Sequence, residues 1–264
     1  MNLFIKLCYV ALLVFCSKVV GQYRFTYEVL FKIDSTNLAN QQTEIFNLDY
    51  LAGESIFYNE AFAKLDSLIT RGGSLYRANV PSPQLDILVT KDLKTKKVNF
   101  VELLGFTSYA VNDPRVLKWR IAPETKLEKD QKLQKAVATF GGRNWIAWFN
   151  PEVNISDGPY KFHGLPGLIV SLHDENNHYV FQLVKVSSID KLFNLKSFEK
   201  LGIRTVSIEY PQFLSLKNTY KENPEKFYID IMNATGMTIE SSEIKMIISQ
   251  SAVRQKKRNN LIEL

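Results

Sequence analysis

The chain of 264 residues is poor in the side chains that most often carry out catalysis. It has two cysteines, Cys8 and Cys16, and both lie within the first 21 residues. It has three histidines, and it contains no Gly-x-Ser-x-Gly turn, no phosphate-binding glycine loop and no His-Glu-x-x-His pattern. These absences exclude the common hydrolase, nucleotide-binding and zinc-protease signatures. Beyond residue 21, no apolar run reaches the ~20 residues that a membrane-spanning helix needs.

Residues 1–21 have the pattern of a secretory signal peptide. Lys6 supplies a positive charge, Leu7–Cys16 is a short apolar run, and Gly21 is a small residue before Gln22. This pattern predicts an exported protein, periplasmic or secreted, with cleavage near Gly21-Gln22. Because cleavage removes both cysteines, the mature chain has no disulfide and depends on its apolar core for stability.

The formal net charge is +6, and the positive excess is greatest near the end of the chain. Arg254, Lys256, Lys257 and Arg258 fall within five residues, so residues 251–264 are interpreted as a basic C-terminal tail. Such a tail is either a solvated, partly disordered end or a peripheral contact with acidic lipid head groups or an acidic partner. Because the protein is expected to be exported, the charge does not indicate a nucleic-acid partner.

Alternating patterns predict many short strands. From Tyr23 to Ile33 apolar side chains occupy every second position, which is typical of a strand with one buried face. Further strands are predicted over Thr43–Tyr50, Ser55–Tyr58, Leu85–Thr90, Val98–Leu104, Thr107–Val111, Leu117–Ile121, Lys132–Phe140, Asn144–Phe149, Leu168–His173, Tyr179–Val186 and Ile244–Ser249. Predicted helices are fewer and cover Glu60–Thr70, Pro211–Lys221 and Pro224–Gly236.

Many short strands with few helices predict a mainly β (α+β) fold: a single curved antiparallel sheet or incomplete barrel with a few packed helices. The sequence shows no internal repeat and no domain boundary, so residues 22–250 are predicted to form a single β-rich domain. This shape resembles that of exported carriers of apolar cargo, which is an analogy of fold alone.

The densest group of aromatic, glycine and proline residues lies between Ala136 and Val170. Gly141-Gly142 is predicted to join two strands as a two-residue turn, with positive φ available at both positions. Trp145 and Trp148 then lie on opposite faces of the second strand. Gly164-Leu165-Pro166-Gly167 fits a type II turn, in which the proline presets φ and the following glycine takes the positive φ.

Three short patterns occur together in this block. They are Phe140-x-Gly142-Arg143-x-x-Ala147-Trp148, Gly158-Pro159-x-Lys161-Phe162 and Gly164-Leu165-Pro166-Gly167-Leu168-Ile169. On these residues the chain resembles the GLPGLI family, exported proteins of Bacteroidetes with no established activity. The resemblance reaches the end of the chain, Asn259 to Leu264, where Leu261 stands in place of the family's usual proline. It implies an exported, mostly β, single-domain protein and no reaction.

One departure from the family pattern limits what the resemblance implies. Leu133 stands at or near a position where many members carry cysteine. No redox or metal role of that cysteine can therefore be carried over to this chain.

Arg143, Trp145, Trp148, Lys161 and Phe162 are the candidate ligand-binding residues. Arg143 follows a tight turn beside two tryptophans, so it is expected to pair with an acidic group or to stack on an aromatic ring. The tryptophans either pack in the core or line a groove for an apolar ligand. The first hypothesis is therefore a non-enzymatic protein, without a cofactor, that binds an apolar small molecule or an envelope protein through the curved sheet.

Two further hypotheses use the histidines. His173 and His178 flank a predicted hairpin loop and are candidate ligands of zinc or copper, although their spacing matches no standard zinc pattern. A hydrolase of unfamiliar type would need a buried carboxylate or serine beside a histidine in a cleft, and no catalytic residue is assigned.

Residues Gly164–Ile169 are expected to be structural, so Gly167→Val should destabilise the fold.

Overall fold

The computed structural model describes residues 21–73, 83–105, 107–201, 203–236, 238, 240–256 and 258–263. The predicted signal peptide, apart from Gly21, lies outside the described residues, and so do both cysteines. Lys257 of the basic cluster and the last residue, Leu264, also lie outside them.

Twelve strands form one open sheet in the described part of the chain. They are β1 (Gln22–Phe31), β2 (Gln42–Leu51), β3 (Glu54–Asn59), β4 (Leu88–Asp92), β5 (Lys97–Leu104), β6 (Thr107–Asp113), β7 (Arg120–Glu128), β8 (Gln131–Phe140), β9 (Arg143–Asn150), β10 (Leu168–Asp174), β11 (Tyr179–Ser188) and β12 (Thr205–Glu209). Their spatial order is β12-β6-β5-β4-β3-β2-β1-β11-β10-β9-β8-β7, which places β1 at the centre. The predicted mainly β fold, with a single sheet that does not close into a barrel, is confirmed.

The sheet is mixed, where the sequence predicted a wholly antiparallel one. Strand β12 pairs with β6 in parallel over five residue pairs, and the other paired strands are antiparallel. The sequence gives no sign of this pair because Thr205–Glu209 is short and has exposed or half-buried side chains. The other edge strand, β7, begins later than the predicted Leu117–Ile121, because most of its side chains are exposed and show no clear alternation.

Five helices lie in the described residues, and they are short. They are α1 (Glu60–Thr70), α2 (Ser197–Lys200), α3 (Tyr210–Glu222), α4 (Pro224–Thr235) and α5 (Ser241–Lys256). Asn59 caps α1 by accepting a hydrogen bond from the Ala61 backbone at 2.8 Å, and Gly236 ends α4 with φ +70°. Both ends follow the sequence rules for helix termini. None of these helices has the length and hydropathy of a membrane-spanning segment.

The predicted strand over Ile244–Ser249 is wrong, because these residues belong to α5. Ile244, Ile247 and Ile248 all pack on the main core, and their spacing is that of one helical face. A short apolar run does not distinguish a strand from a helix by periodicity alone.

The main apolar core lies on one face of the sheet, which we call the inner face. Strand β1 buries Phe25, Tyr27, Val29 and Phe31 there. Helices α3 to α5 and the connection between β9 and β10 cover this face with Phe213, Phe227, Tyr228, Ile244, Phe162 and Leu165. On the outer face, a smaller cluster around Ile56, Tyr58 and Leu88 packs against Phe193 and its neighbours. The sheet is therefore covered on both sides near β3 and β4.

Candidate functional site

Arg143 begins β9 directly after the Gly141-Gly142 turn. Both glycines have positive φ, at +58° and +77°, as a two-residue hairpin turn requires. The guanidinium of Arg143 is buried and pairs with Asp174 at 3.0 Å. It also lies 5.1 Å from the centre of the Tyr179 ring. Both contacts expected for this arginine, an acidic group and an aromatic ring, are thus present.

The remaining donors of Arg143 bind the end of the chain. Its Nη2 donates to Oδ1 of Asn260 at 2.6 Å and to the carbonyl of Leu261 at 2.5 Å. Its Nε also donates to the Leu261 carbonyl, at 3.1 Å. Arg143 therefore binds residues that lie more than a hundred positions later in the sequence.

Asn260 has a partner for each of its polar groups. Its side-chain amide donates to the carbonyl of Lys32 at 2.5 Å, and its backbone N–H donates to the carbonyl of Ile33 at 3.0 Å. Its own carbonyl accepts a hydrogen bond from the Tyr179 hydroxyl at 2.7 Å. Asn260 is 5% exposed, so this complete pairing avoids the cost of burying an unpaired amide.

Glu263 forms a second anchor three residues later. Its carboxylate pairs with Lys161 and with Arg115, each at 2.7 Å, and accepts a hydrogen bond from the Tyr160 hydroxyl. Lys161 is buried and also pairs with Asp113 at 2.9 Å. The two motif cations, Arg143 and Lys161, thus hold the same short segment.

These contacts fix the charges at the second anchor. Burial opposes ionisation of Glu263, but Lys161 and its other partners outweigh burial and lower the pKa of this carboxyl group. Burial likewise opposes ionisation of Asp113, and Arg115 and Lys161 reverse the effect and lower its pKa. Burial raises the pKa of Tyr160 well above its usual value, so its hydroxyl remains a neutral donor.

We call residues 259–263 the C-terminal strap. Its first residue, Asn259, accepts a hydrogen bond from the backbone of Ser35 at 2.7 Å. A Cβ at Gly141 would lie 2.8 Å from Cγ of Glu263, so the hairpin glycine leaves room for the strap. The sequence suggested a solvated tail over residues 251–264. Instead, residues 251–256 continue α5, and the strap is bound to the sheet.

A buried ion pair, Lys91 with Asp157, holds the connection between β9 and β10. Nζ of Lys91 lies 2.5 Å from Oδ1 of Asp157, and both side chains are fully buried. The same Nζ donates to the carbonyl of Gly158 at 2.5 Å, and the backbone of Ile169 donates to the Asp157 carbonyl at 2.9 Å. Burial lowers the pKa of Lys91, against the opposing effect of Asp157. This pair therefore positions the motif block on the inner face.

The Gly-Leu-Pro-Gly segment forms a tighter turn than the predicted type II turn. The N–H of Gly167 donates to the carbonyl of Leu165 at 2.8 Å, which encloses Pro166 in a three-residue turn. Gly164 and Gly167 have φ of +92° and +150°. A Cβ at Gly167 would lie 2.2 Å from the carbonyl oxygen of Asn150, so two backbone segments meet there. Three further motif residues, Leu165, Leu168 and Ile169, are buried.

The aromatic candidates do not surround one cavity. Trp145 and Phe162 are buried in the core with ring centres 4.6 Å apart, and Trp119 lies 6.1 Å from Phe162. Trp148 lies on the opposite face of β9, where Nζ of Lys126 is 4.8 Å from its ring centre. The five candidate ligand-binding residues are thus divided among the core, the strap contacts and the outer face.

The candidate metal ligands lie in different surroundings. His178 lies beside Asp174, with 4.0 Å between Nδ1 and Oδ2. His173 lies on the outer face of β10, in register with Ile146 and Val180. The described residues contain no group of three His, Cys, Asp or Glu side chains placed to hold a metal ion. Among the described residues, His173 and His178 therefore have no set of further ligands of the kind that a zinc site needs.

Four apolar side chains and one histidine form a row across the outer face of the sheet. In strand register, Leu30, Val180, His173, Ile146 and Val137 occupy neighbouring positions on β1, β11, β10, β9 and β8. All five are half-buried, and the four apolar ones belong to neither apolar cluster of the described residues. Because neighbouring strands lie ~4.8 Å apart, this outer-face row is ~19 Å long.

An open depression of about 490 Å³ lies at the β8 end of the outer-face row. Its apolar lining comes from Val137, Ala138, Trp145 and Ile146, and its charged groups are Lys118, Arg120 and Glu175. Its volume is within the range of small-molecule sites.

Several site residues were not found from the sequence. Lys91, Asp113 and Tyr179 stand in ordinary strands and Arg115 follows Pro114 in a loop, and nothing local marks them as partners of the motif. A signal did exist for the strap, because the family resemblance includes both the motif block and Asn259–Leu264. Their joint occurrence could have suggested that the two segments meet.

Known proteins resemble this chain in part. A family model described as "Protein of unknown function (Porph_ging)" matches residues 104–171, a range that contains the whole motif block. No curated protein matches the chain. Two solved structures, "Structure of PNGF-II in C2 space group" and "Structure of PNGF-II in P21 space group", match 74% of this chain with a TM-score of 0.50 and identities of 14% and 16%.

This chain spans about a third of those solved chains, 32% in each case. At this identity the likeness concerns the fold alone. The matched region is thus similar to a family of unknown function, and the sheet has a counterpart in part of a larger protein.

Proposed function

We propose that this chain is an exported, non-enzymatic binding protein of the GLPGLI type, and that its outer-face row binds an amphiphile with an apolar body and an acidic group. The motif block supports the GLPGLI assignment, since the family model of unknown function matches the same region. The metal and hydrolase alternatives lack a comparable observation in the described residues.

The observation that carries this proposal is the outer-face row. Side chains in register on five neighbouring strands, four of them apolar and one a histidine, form a surface that neither cluster of the described residues uses. The depression at one end places Lys118 and Arg120 beside Val137 and Ile146. A ligand whose acidic group pairs with the two cations would lay its apolar body along the row.

A change in tryptophan fluorescence on addition of 12-bromododecanoic acid tests the binding. Trp148 follows Ile146 by two residues on the same strand face, so an alkyl chain that lies over Ile146 should change the emission of Trp148. We expect a saturable change in the emission of the parent chain and binding at least about tenfold weaker for Ile146→Asp, because a negative charge would enter an apolar contact beside the acidic group of the ligand. Val116→Asp is the matched control, since Val116 is 78% exposed outside the row. Equal binding by the two variants would refute the site.

The acidic group is tested separately with Arg120→Gln. This variant should weaken binding of 12-bromododecanoic acid and leave binding of the neutral 12-bromododecanol unchanged, since the neutral compound has no charge to pair. If both compounds lose affinity equally, Arg120 does not recognise an acidic group.

Export is a separate part of the proposal. Strand β1 begins at Gln22, the residue after the predicted cleavage site, so cleavage there leaves all described strands intact. Sequencing of the protein from its native cells should show an amino terminus at Gln22. An intact Met1 on the folded protein would contradict signal-peptide cleavage. Peripheral membrane contact through the basic residues stays a prediction.

A further inference from the structure

We infer that the inner-face site occupied by the C-terminal strap is a peptide-binding site in its own right. Its ligand is a segment with asparagine at one position and a carboxylate three residues later. The segment comes either from the same chain or from a second copy. This site is separate from the outer-face row, so the inference does not depend on the proposed function.

The asparagine position is read by two bonds of opposite polarity. Arg143 donates to Oδ1 of Asn260, and the carbonyl of Lys32 accepts from its side-chain amide. Asparagine satisfies both groups, whereas aspartate has no donor and leucine has neither function. Because this contact is buried, the wrong side chain would leave a polar group unpaired.

The carboxylate position is read by charge. Glu263 meets Lys161 and Arg115 at 2.7 Å each, together with the Tyr160 hydroxyl. Two cations and a neutral donor around one carboxylate favour an ionised group over an amide of similar shape.

The receptor is held in place by residues outside the strap. Asp174 pairs with Arg143 at 3.0 Å and accepts from the Tyr179 backbone at 2.8 Å. Asp113 accepts two bonds from Arg115, at 2.8 and 2.6 Å, and pairs with Lys161. None of these contacts involves a strap residue, so they can hold the site assembled for another segment.

Some side chains of the strap are exposed, so only a few of its positions are recognised. The side chain of Leu261 is 48% exposed, and its backbone carbonyl makes the contact with Arg143. Asn259 is also exposed. An attached segment competes at an effective concentration of up to ~mM, so it blocks added peptide until it is released.

A cleavable full-length chain tests the inference. A protease recognition sequence is inserted after Lys257, and a fluorescein-labelled peptide with the sequence of residues 258–264 is added before and after cleavage. Fluorescence polarisation should show saturable binding to the cleaved protein, at least about tenfold tighter than to the uncleaved protein. Equal binding before and after cleavage, or no binding after it, would overturn the inference.

Three altered peptides test the two recognised positions. We expect Asn260→Leu and Glu263→Gln peptides to bind the cleaved protein at least about tenfold more weakly. The Leu261→Ala peptide is the matched control and should bind within about twofold of the parent, because the side chain it shortens is half exposed. Similar affinities for all peptides would show that the site does not select this pattern.

A second variant tests the inference if the cleaved protein does not remain folded. In the uncleaved Asn260→Leu variant, the contacts of the strap are weakened but the strap is still attached, so the labelled peptide should bind more tightly than it does to the parent. No gain in affinity would overturn the inference. Light scattering separates the two sources of the segment: a dimer that dissociates when peptide is added indicates exchange between copies, whereas a monomer at all concentrations assigns the strap to its own chain.

Discussion

Replacing Gly167 by alanine tests how closely the motif turn approaches the end of β9. The added Cβ would lie 2.2 Å from the carbonyl oxygen of Asn150, 2.7 Å from its carbonyl carbon and 2.9 Å from Cα of Pro151. All three contacts are with backbone atoms, which cannot turn aside as a flexible side chain can. The φ of +150° is a further cost for any residue with a Cβ.

The expected loss follows from these two effects. Forcing extra volume into a packed site costs about 1–3 kcal/mol, and an unfavourable φ adds about 1–3 kcal/mol. We therefore expect Gly167→Ala to lower the free energy of unfolding by about 2–6 kcal/mol. For a domain of this size, such a loss corresponds to a fall in Tm of roughly 10 °C.

Gly164→Ala is the matched control in the same motif. Gly164 has φ +92°, and a Cβ there would have no neighbour within 4 Å, so this variant carries the backbone cost without the clash. Urea unfolding followed by tryptophan fluorescence gives both free energies. If Gly167→Ala loses no more stability than Gly164→Ala, the close approach to Asn150 is not what requires glycine.

Two further predictions concern buried charges. Lys91→Met should lower the free energy of unfolding by about 3–5 kcal/mol, because it leaves the carboxylate of Asp157 buried without a partner. Combining Lys91→Met with Asp157→Asn should recover part of this loss. If urea unfolding shows that the losses of the two single variants add in the double variant, the pairing is contradicted. Glu263→Gln removes a carboxyl group whose pKa is lowered in the fold through Lys161, despite burial. Its contribution is present above the unfolded pKa of about 4.5 and is lost as the pH falls through the lower folded value. The stability gap between parent and Glu263→Gln should therefore be largest near pH 7 and narrow below about pH 4.5, and a gap independent of pH would refute the assignment.

Residues with local partners were predicted well. The alternation of β1, the Asn59 cap and the Gly141-Gly142 turn all follow from neighbours a few positions away, and the structure confirms each of them. Turn type was harder, because the hydrogen bond that encloses Pro166 depends on how the connection meets Asn150. The identity of α5 was also missed, since its isoleucines fit either period over a short run.

The candidate site was predicted in part. The sequence pattern identified Arg143 and Lys161 as candidate site residues, and it predicted an acidic group or an aromatic ring as the partner of Arg143. It did not show that both bind one segment at the end of the chain, nor that Trp145 and Phe162 are buried. The outer-face row also escaped notice, because its members come from five strands and none is unusual in its own strand.

The sequence by itself determined a mainly β fold and the ends of several elements, because alternation, caps and glycine turns act over a few residues. Tertiary structure alone decided what the motif does. Arg143 meets Asn260 across 117 positions, and Lys91 meets Asp157 only because the connection between β9 and β10 folds onto the inner face. Local periodicity specifies which face a side chain occupies, and it carries no information about which distant group lies opposite.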